Sequence, residues 1–179
     1  MTEQILVEES WVMKTFFTNP RLSWFWVVVR VYLGWEWLSA GWEKIMNPLW
    51  VGWDAGAPLR GFIAGALTKT SGVHPDVQGW YAFFLENVVL PHANLWSHMV
   101  AYGEVLVGLG LIVGAFTAPA AFFGLFMNLN YLLAGTVSVN PILFTLSIFV
   151  IFSRSVTRKF GLDYFLEPIL QKYYKRPLW

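Results

Sequence analysis

Of the 179 residues, 56% are hydrophobic and only 13% charged, against about 25% charged in an ordinary soluble domain, which points to a chain embedded in lipid. Twelve Lys and Arg against eleven Asp and Glu leave a net charge of +1, so bulk charge gives no basis for binding nucleic acid. The lack of cysteine excludes disulfides, thiolate metal centres, iron–sulfur clusters and a cysteine nucleophile within the chain.

The first 21 residues, with Glu3, Glu8 and Glu9, have neither the basic start nor the small-residue cleavage site of a signal peptide, so the N-terminus is expected to stay on the mature protein. A crossing of the bilayer needs about 20 apolar residues. The first is expected over residues 22–46, opened by Asn19-Pro20, a side-chain cap followed by an early proline, and closed by Asn47-Pro48. The connection 47–94 is too apolar for a plain loop. Leu59, Phe62, Ile63, Ala66 and Leu67 share one helical face, and Trp80, Tyr81, Phe84, Leu85 and Val88 nearly do, which predicts two short amphipathic helices at the interface. Trp42, Trp50, Trp53, Trp80 and Trp96 fall at the same level, as in an interfacial aromatic belt.

The second span is expected over 95–116 and the third over 118–137, with Thr117-Ala118-Pro119 between them and Gly135-Thr136 at the far end. The fourth, 140–154, starts at Asn140-Pro141 with a cap and an early proline. Its uninterrupted apolar run is only about a dozen residues, short for a crossing. Either the bilayer thins and Arg154 and Arg158 snorkel, or the segment is re-entrant. Arg154 at the end of the fourth span, with Arg158, Lys159, Lys172, Lys175 and Arg176 in the tail from 155 to 179, makes this end basic, and Lys14 and Arg21 precede the first span. By the positive-inside rule both termini are cytoplasmic and the connection 47–94 faces outward. No internal repeat or low-complexity tract divides the chain. The reading is thus an all-α integral membrane protein: a single domain, 1–179, forming a four-transmembrane-helix bundle with short amphipathic helices in the long outer connection.

Ionised groups inside spans cost a few kcal/mol even on lenient scales, so each needs a reason. Arg30, Gly34, Trp37, Gly41 and Lys44 fall within about 80° of one another around a helix. The glycines permit close approach of another helix, which turns both cations into the protein. Glu36 and Glu43 share a second face with Tyr32 and Ser39. Glu104 lies in the glycine-rich second span, with Arg30, Lys44 and His98 competing to pair with it. Gly124, Asn128, Tyr131 and Gly135 form one face of the third span, with Asn130 turned aside. These groups either lock the helices together or line a pocket for a quinone head group or a small anion. His74, His92 and His98, 18 and 6 residues apart, match no compact ligand spacing, so no metal is expected. Haem attachment, nucleotide-binding and flavin motifs are absent from the sequence.

Arg30-x3-Gly34, the LSAGWEK run from Leu38 to Lys44, Tyr102–Thr117, the MNLNYLLAG run from Met127 to Gly135, and Gly161-Leu162-Asp163 together resemble the DoxX-like membrane proteins. The long first connection looks like that of the DoxD type, the small membrane subunit of thiosulfate:quinone oxidoreductase. This resemblance implies a four-helix protein of the prokaryotic cytoplasmic membrane. It would pass electrons from thiosulfate to a quinone with tetrathionate as product, alongside a second subunit. On that reading Lys44, Arg60 and Arg30 would bind the oxyanion. Glu104 and Glu36 would carry protons, and Trp37, Trp42, Tyr131 and Asn128 would hold the quinone. The alternative is a non-catalytic anchor, accessory or assembly subunit of a larger respiratory or redox complex, docking through its outer aromatic surface and through Tyr164, Phe165, Ile169, Leu170 and Tyr173.

Overall fold

The computed structural model of the chain describes residues 10–174. Glu3, Glu8 and Glu9 at one end and Lys175 and Arg176 at the other lie outside them, as does the side chain of Tyr173. The described residues form helices joined by turns, with no strand among them.

Two of the Asn-Pro pairs act as capped helix starts. Asn19 accepts a hydrogen bond from the Arg21 N–H, and Pro20 opens a short turn that runs into α1 (Ser23–Ile45). Asn47 accepts from the Leu49 N–H in the same way to begin α2 (Pro48–Val51). Gly56, at a φ of +110°, then turns the chain into α3 (Ala57–Leu67). The buried side of α3 is Leu59, Ile63 and Ala66, with Phe62 and Leu67 half-buried beside them, as the spacing predicts.

The next element departs from expectation. α4 (Gly79–Phe84) does not end before the second span. It widens over Leu85–Val89, tightens over Leu90–His92 and continues as α5 (Ala93–Val113), so that Gly79–Val113 is one helical run of 35 residues. Pro91 has no N–H to give to the preceding turn, and the helix absorbs this by a local change of pitch instead of breaking. The widened turn also rotates the buried face. Tyr81, Leu85 and Val89 point inward, whereas Trp80 and Val88, expected on the same side, are exposed.

Gly114, at a φ of +64°, ends α5. α6 (Thr117–Leu133) follows and stops short of the expected Val137, closed by Gly135 at a φ of +70°. α7 (Asn140–Thr157) continues through a short turn to Phe160, giving an apolar helix of 21 residues. The fourth segment is therefore not the short one that its interrupted apolar run implied. Its hydroxyls bond back to their own helix, Ser147 to the Leu143 carbonyl at 2.8 Å and Ser153 to that of Val150 at 3.3 Å, so they do not break it. At its start Asn140 donates to the Thr136 carbonyl at 3.0 Å instead of capping the helix. α8 (Asp163–Tyr174) completes the described chain.

Among the described residues, Gly79–Val113 and Asn140–Phe160 are long and apolar enough to cross a membrane. α1, α5, α6 and α7 close into a ring, with α1 against α5 and α7 and α6 against the same two. Unlike a soluble bundle, the ring buries several polar side chains and turns many large apolar ones outward. Arg30, Glu104, Asn128, Ser97 and Ser147 are buried, while Trp35, Leu106, Phe123 and Ile142 face outward. Its apolar centre is Leu33, Trp37, Val107, Leu111, Ala121, Leu143 and Val150. α3 and α4 cover one end through a second cluster that includes Ile63, Val77, Tyr81 and Leu85.

α1 and α5 touch backbone to backbone. A Cβ at Gly108 would lie 2.5 Å from the Leu38 nitrogen, and one at Gly41 would lie 2.7 Å from the Val105 nitrogen. Only glycine fits either place. Gly108→Val is expected to cost about 1–3 kcal/mol by overpacking. A lower melting point of the detergent-purified protein would display that cost, and an unchanged one would deny the close contact.

Candidate functional site

The close approach of α1 and α5 creates the polar centre of the bundle. Gly41 leaves room for the Cβ of Glu104, which would be only 2.9 Å from a Cβ on that glycine. Lys44, one turn further along α1, reaches across and places Nζ 2.6 Å from Glu104 Oε2. From α6, the Tyr131 hydroxyl donates to Glu104 Oε1 at 2.7 Å. Both oxygens of a carboxylate only 2% exposed are thus satisfied, one by a cation and one by a phenol, and three helices are tied at one point. The Lys44 ammonium also sits 5.3 Å from the centre of the Trp50 ring, a cation–π distance. Of the partners that compete for Glu104 by sequence, Lys44 is the one that pairs. The ring nitrogens of His98 lie instead beside the carbonyls of Asn94 and Val51, at 2.8 and 3.0 Å.

The other predicted residues separate into groups. The Trp37 and Tyr131 rings stack at 6.5 Å and 30°. Trp37 Nε1 lies against Gly124, where a Cβ would be 3.0 Å away. Asn128 is fully buried one turn along from Gly124, and neither its amide atoms nor Trp37 Nε1 has a partner among the described residues. Trp42 is exposed and does not join them. Glu36 is half-buried beside Tyr32, Glu43 is exposed, and Arg60 is exposed on α3. Asn130 turns aside as expected and accepts from the Tyr81 hydroxyl at 3.1 Å. His74 and His92 are exposed, and among the described residues no three His, Asp or Glu stand together.

Arg30 serves the opposite end of the bundle. Only 1% exposed, it donates through Nη2 to the Phe160 carbonyl at 2.9 Å. The bare backbones of Gly114 and Gly161 pack beside its guanidinium. Next to it the Leu162 and Asp163 N–H groups donate to the carbonyls of Val113 and Gly114 at 3.1 and 2.8 Å. The Asp163 carboxylate accepts from the N–H groups of Phe116 and Thr117 at 2.6 and 3.0 Å. Asp163 thereby caps the start of α6 from 46 residues away in the chain. Sequence reasoning had the Gly161-Leu162-Asp163 motif but not this use of it. Glycine and a short acidic side chain beside a helix-breaking turn were the available signal.

Beside Tyr131 a cavity of about 140 Å³ opens between α3, α4, α5 and α6, walled by Phe62, Tyr81, Phe84, Trp96, Phe126 and the Tyr131 ring. Its character is almost wholly apolar, since the Tyr81 and Tyr131 hydroxyls are already bonded to Asn130 and Glu104.

Tyr131→Phe removes one interhelical hydrogen bond and is expected to cost about 1 kcal/mol. Glu104→Gln costs more, toward the about 3 kcal/mol of a broken buried pair, because it leaves the ammonium facing an amide. Thermal unfolding in detergent should rank wild type above Tyr131→Phe above Glu104→Gln; the reverse order of the variants would contradict the geometry.

No curated protein and no solved structure matches the chain. Residues 25–137, which hold both helices of the glycine contact, the Lys44–Glu104–Tyr131 cluster and all of α6, match DoxX. The chain belongs to the DoxX family of membrane proteins.

Proposed function

We propose that this chain is a non-catalytic membrane subunit that anchors, accompanies or helps to assemble a larger respiratory or redox complex. The observation that carries this reading is that the buried charges bind to the protein itself. Lys44 is held by Glu104, Glu104 also by Tyr131, Asp163 by the α6 N–H groups, and Arg30 through Nη2 by a tail carbonyl, its Nε and Nη1 having no partner among the described residues. A polar interior used in this way fixes helices and leaves the outer surface for partners. The exposed rings of Trp24, Trp35, Phe122 and Phe123, and Tyr164, Phe165 and Ile169 on α8, are apolar groups that lipid or another subunit would cover.

A second reading draws on the aromatic cavity next to Tyr131. There the chain is the DoxD-type subunit of a thiosulfate:quinone oxidoreductase, with the quinone ring near Trp37, Tyr131 and Asn128 and Glu104 handling its protons. Purification separates the two readings. The accessory subunit co-purifies stoichiometrically with a larger oxidoreductase, and alone it does not reduce a quinone analogue with thiosulfate. Turnover by the isolated chain, lost in Glu104→Gln and Lys44→Ala, would overturn the accessory reading.

We further propose a single four-span domain in a prokaryotic cytoplasmic membrane with both termini inside. Two features support it. The connection 47–94 shares one end of the bundle with the α6–α7 turn, through the 2.7 Å bond from Lys69 to the Gly135 carbonyl. Arg154, Arg158 and Lys159 lie at the other end. The natural sequence has no cysteine, so single replacements report unambiguously. Asp76→Cys should react with an impermeant maleimide in intact cells and Lys159→Cys only after permeabilisation. Labelling of Lys159→Cys from outside would reverse the topology.

A further inference from the structure

At the Arg30 end a second cavity, a cleft of about 310 Å³, lies between the start of α6, the end of α7 and α8. Its polar wall is balanced, two cations against two carboxylates: Arg154 and Arg158 with Asp163 and Glu167. Arg158 and Glu167 touch at 2.6 Å. Thr117 also lines it, and the Thr117 hydroxyl, on a residue 2% exposed, has no partner among the described residues. Ser155 adds a hydroxyl-bearing side chain, and the rest of the wall is hydrocarbon, including Phe116, Leu166 and Leu170.

We infer that this cleft is a binding site for a membrane phospholipid with a zwitterionic, amine-bearing head group. Three features lead to that ligand. The cleft sits where the apolar helix Asn140–Phe160 gives way to arginines, the depth at which head groups lie. A lone anion is disfavoured there, because the free N–H groups at the start of α6 are taken by the Asp163 carboxylate, which would repel it. A head group that carries phosphate and ammonium together matches a wall carrying both signs. The phosphate faces the guanidinium groups and the unpartnered Thr117 hydroxyl, and the ammonium faces the carboxylates. The apolar wall then covers the start of an acyl chain. Such a lipid would fill the space between α8 and the bundle. The site is independent of either reading of function above.

The test is lipid retention by the intact chain in native mass spectrometry. Delipidated protein in detergent is titrated with dioleoyl phosphatidylethanolamine, dioleoyl phosphatidylglycerol, O-phosphoethanolamine and inorganic phosphate. We expect phosphatidylethanolamine to be retained about tenfold better than phosphatidylglycerol. Retention should fall several-fold in Thr117→Val, which keeps the side-chain shape, and about tenfold in Leu166→Trp, which fills the cleft. Should Leu166→Trp fail to fold, Thr117→Val decides alone. Equal or better retention of phosphatidylglycerol overturns the assignment, as does unchanged retention in Thr117→Val. Saturation by inorganic phosphate or O-phosphoethanolamine alone overturns the lipid as its source.

Discussion

Everything at the centre of this bundle depends on how closely α1 and α5 approach. Gly34, Gly41 and Gly108 bring the two backbones into direct contact, a distance that no larger residue allows. That contact sets the depth and direction of Glu104, and only then can Lys44 reach it at 2.6 Å. In a membrane the hydrophobic effect does not draw helices together, because the lipid is as apolar as the helix faces. Packing of small residues and hydrogen bonds across helices must do so, and this contact supplies both.

The polar groups divide into two layers. At the end covered by α3 and α4, Lys44, Glu104 and Tyr131 tie α1, α5 and α6 together. At the other end, Arg30 and Asp163 tie α1 and the start of α6 to the segment after α7. Between them the core is mostly hydrocarbon, with Asn128 and Ser147 buried in it. Each layer joins residues far apart in sequence, 60 residues for Lys44–Glu104 and 130 for Arg30–Phe160. A ring of helices so closed places its lipid-facing side chains without help from a soluble-type core.

Much of this is legible in the sequence, where local chemistry decides. The Asn-Pro pairs that open and close the first span, the shared face of Arg30, Gly34, Trp37, Gly41 and Lys44, and the buried face of α3 all follow from caps and helical period. The family match over residues 25–137 agrees with the resemblance carried by those same motifs. The misses have physical causes. The second amphipathic helix and the second span read as separate elements, yet a change of pitch around Pro91 carries one helix through both. Arg154 reads as the end of the apolar run of α7, yet the helix continues past it to Phe160. The partner of Arg30 is a backbone carbonyl, which has no signature in sequence. Trp42 sits near the cationic face by number but outside it by angle, so it meets solvent or lipid. Whether Glu104 pairs with Arg30, Lys44 or His98 is a question of depth, which helical period alone does not answer.

The most direct test of the account is a double-mutant cycle on Lys44 and Glu104, using Lys44→Met and Glu104→Gln and unfolding of the purified protein in detergent. If the pair locks α1 to α5, the double variant is less destabilised than the sum of the single variants by about 1 kcal/mol or more. Additivity within about 0.5 kcal/mol would mean that the two residues do not act on each other, and the lock at the centre of the bundle would have to lie elsewhere.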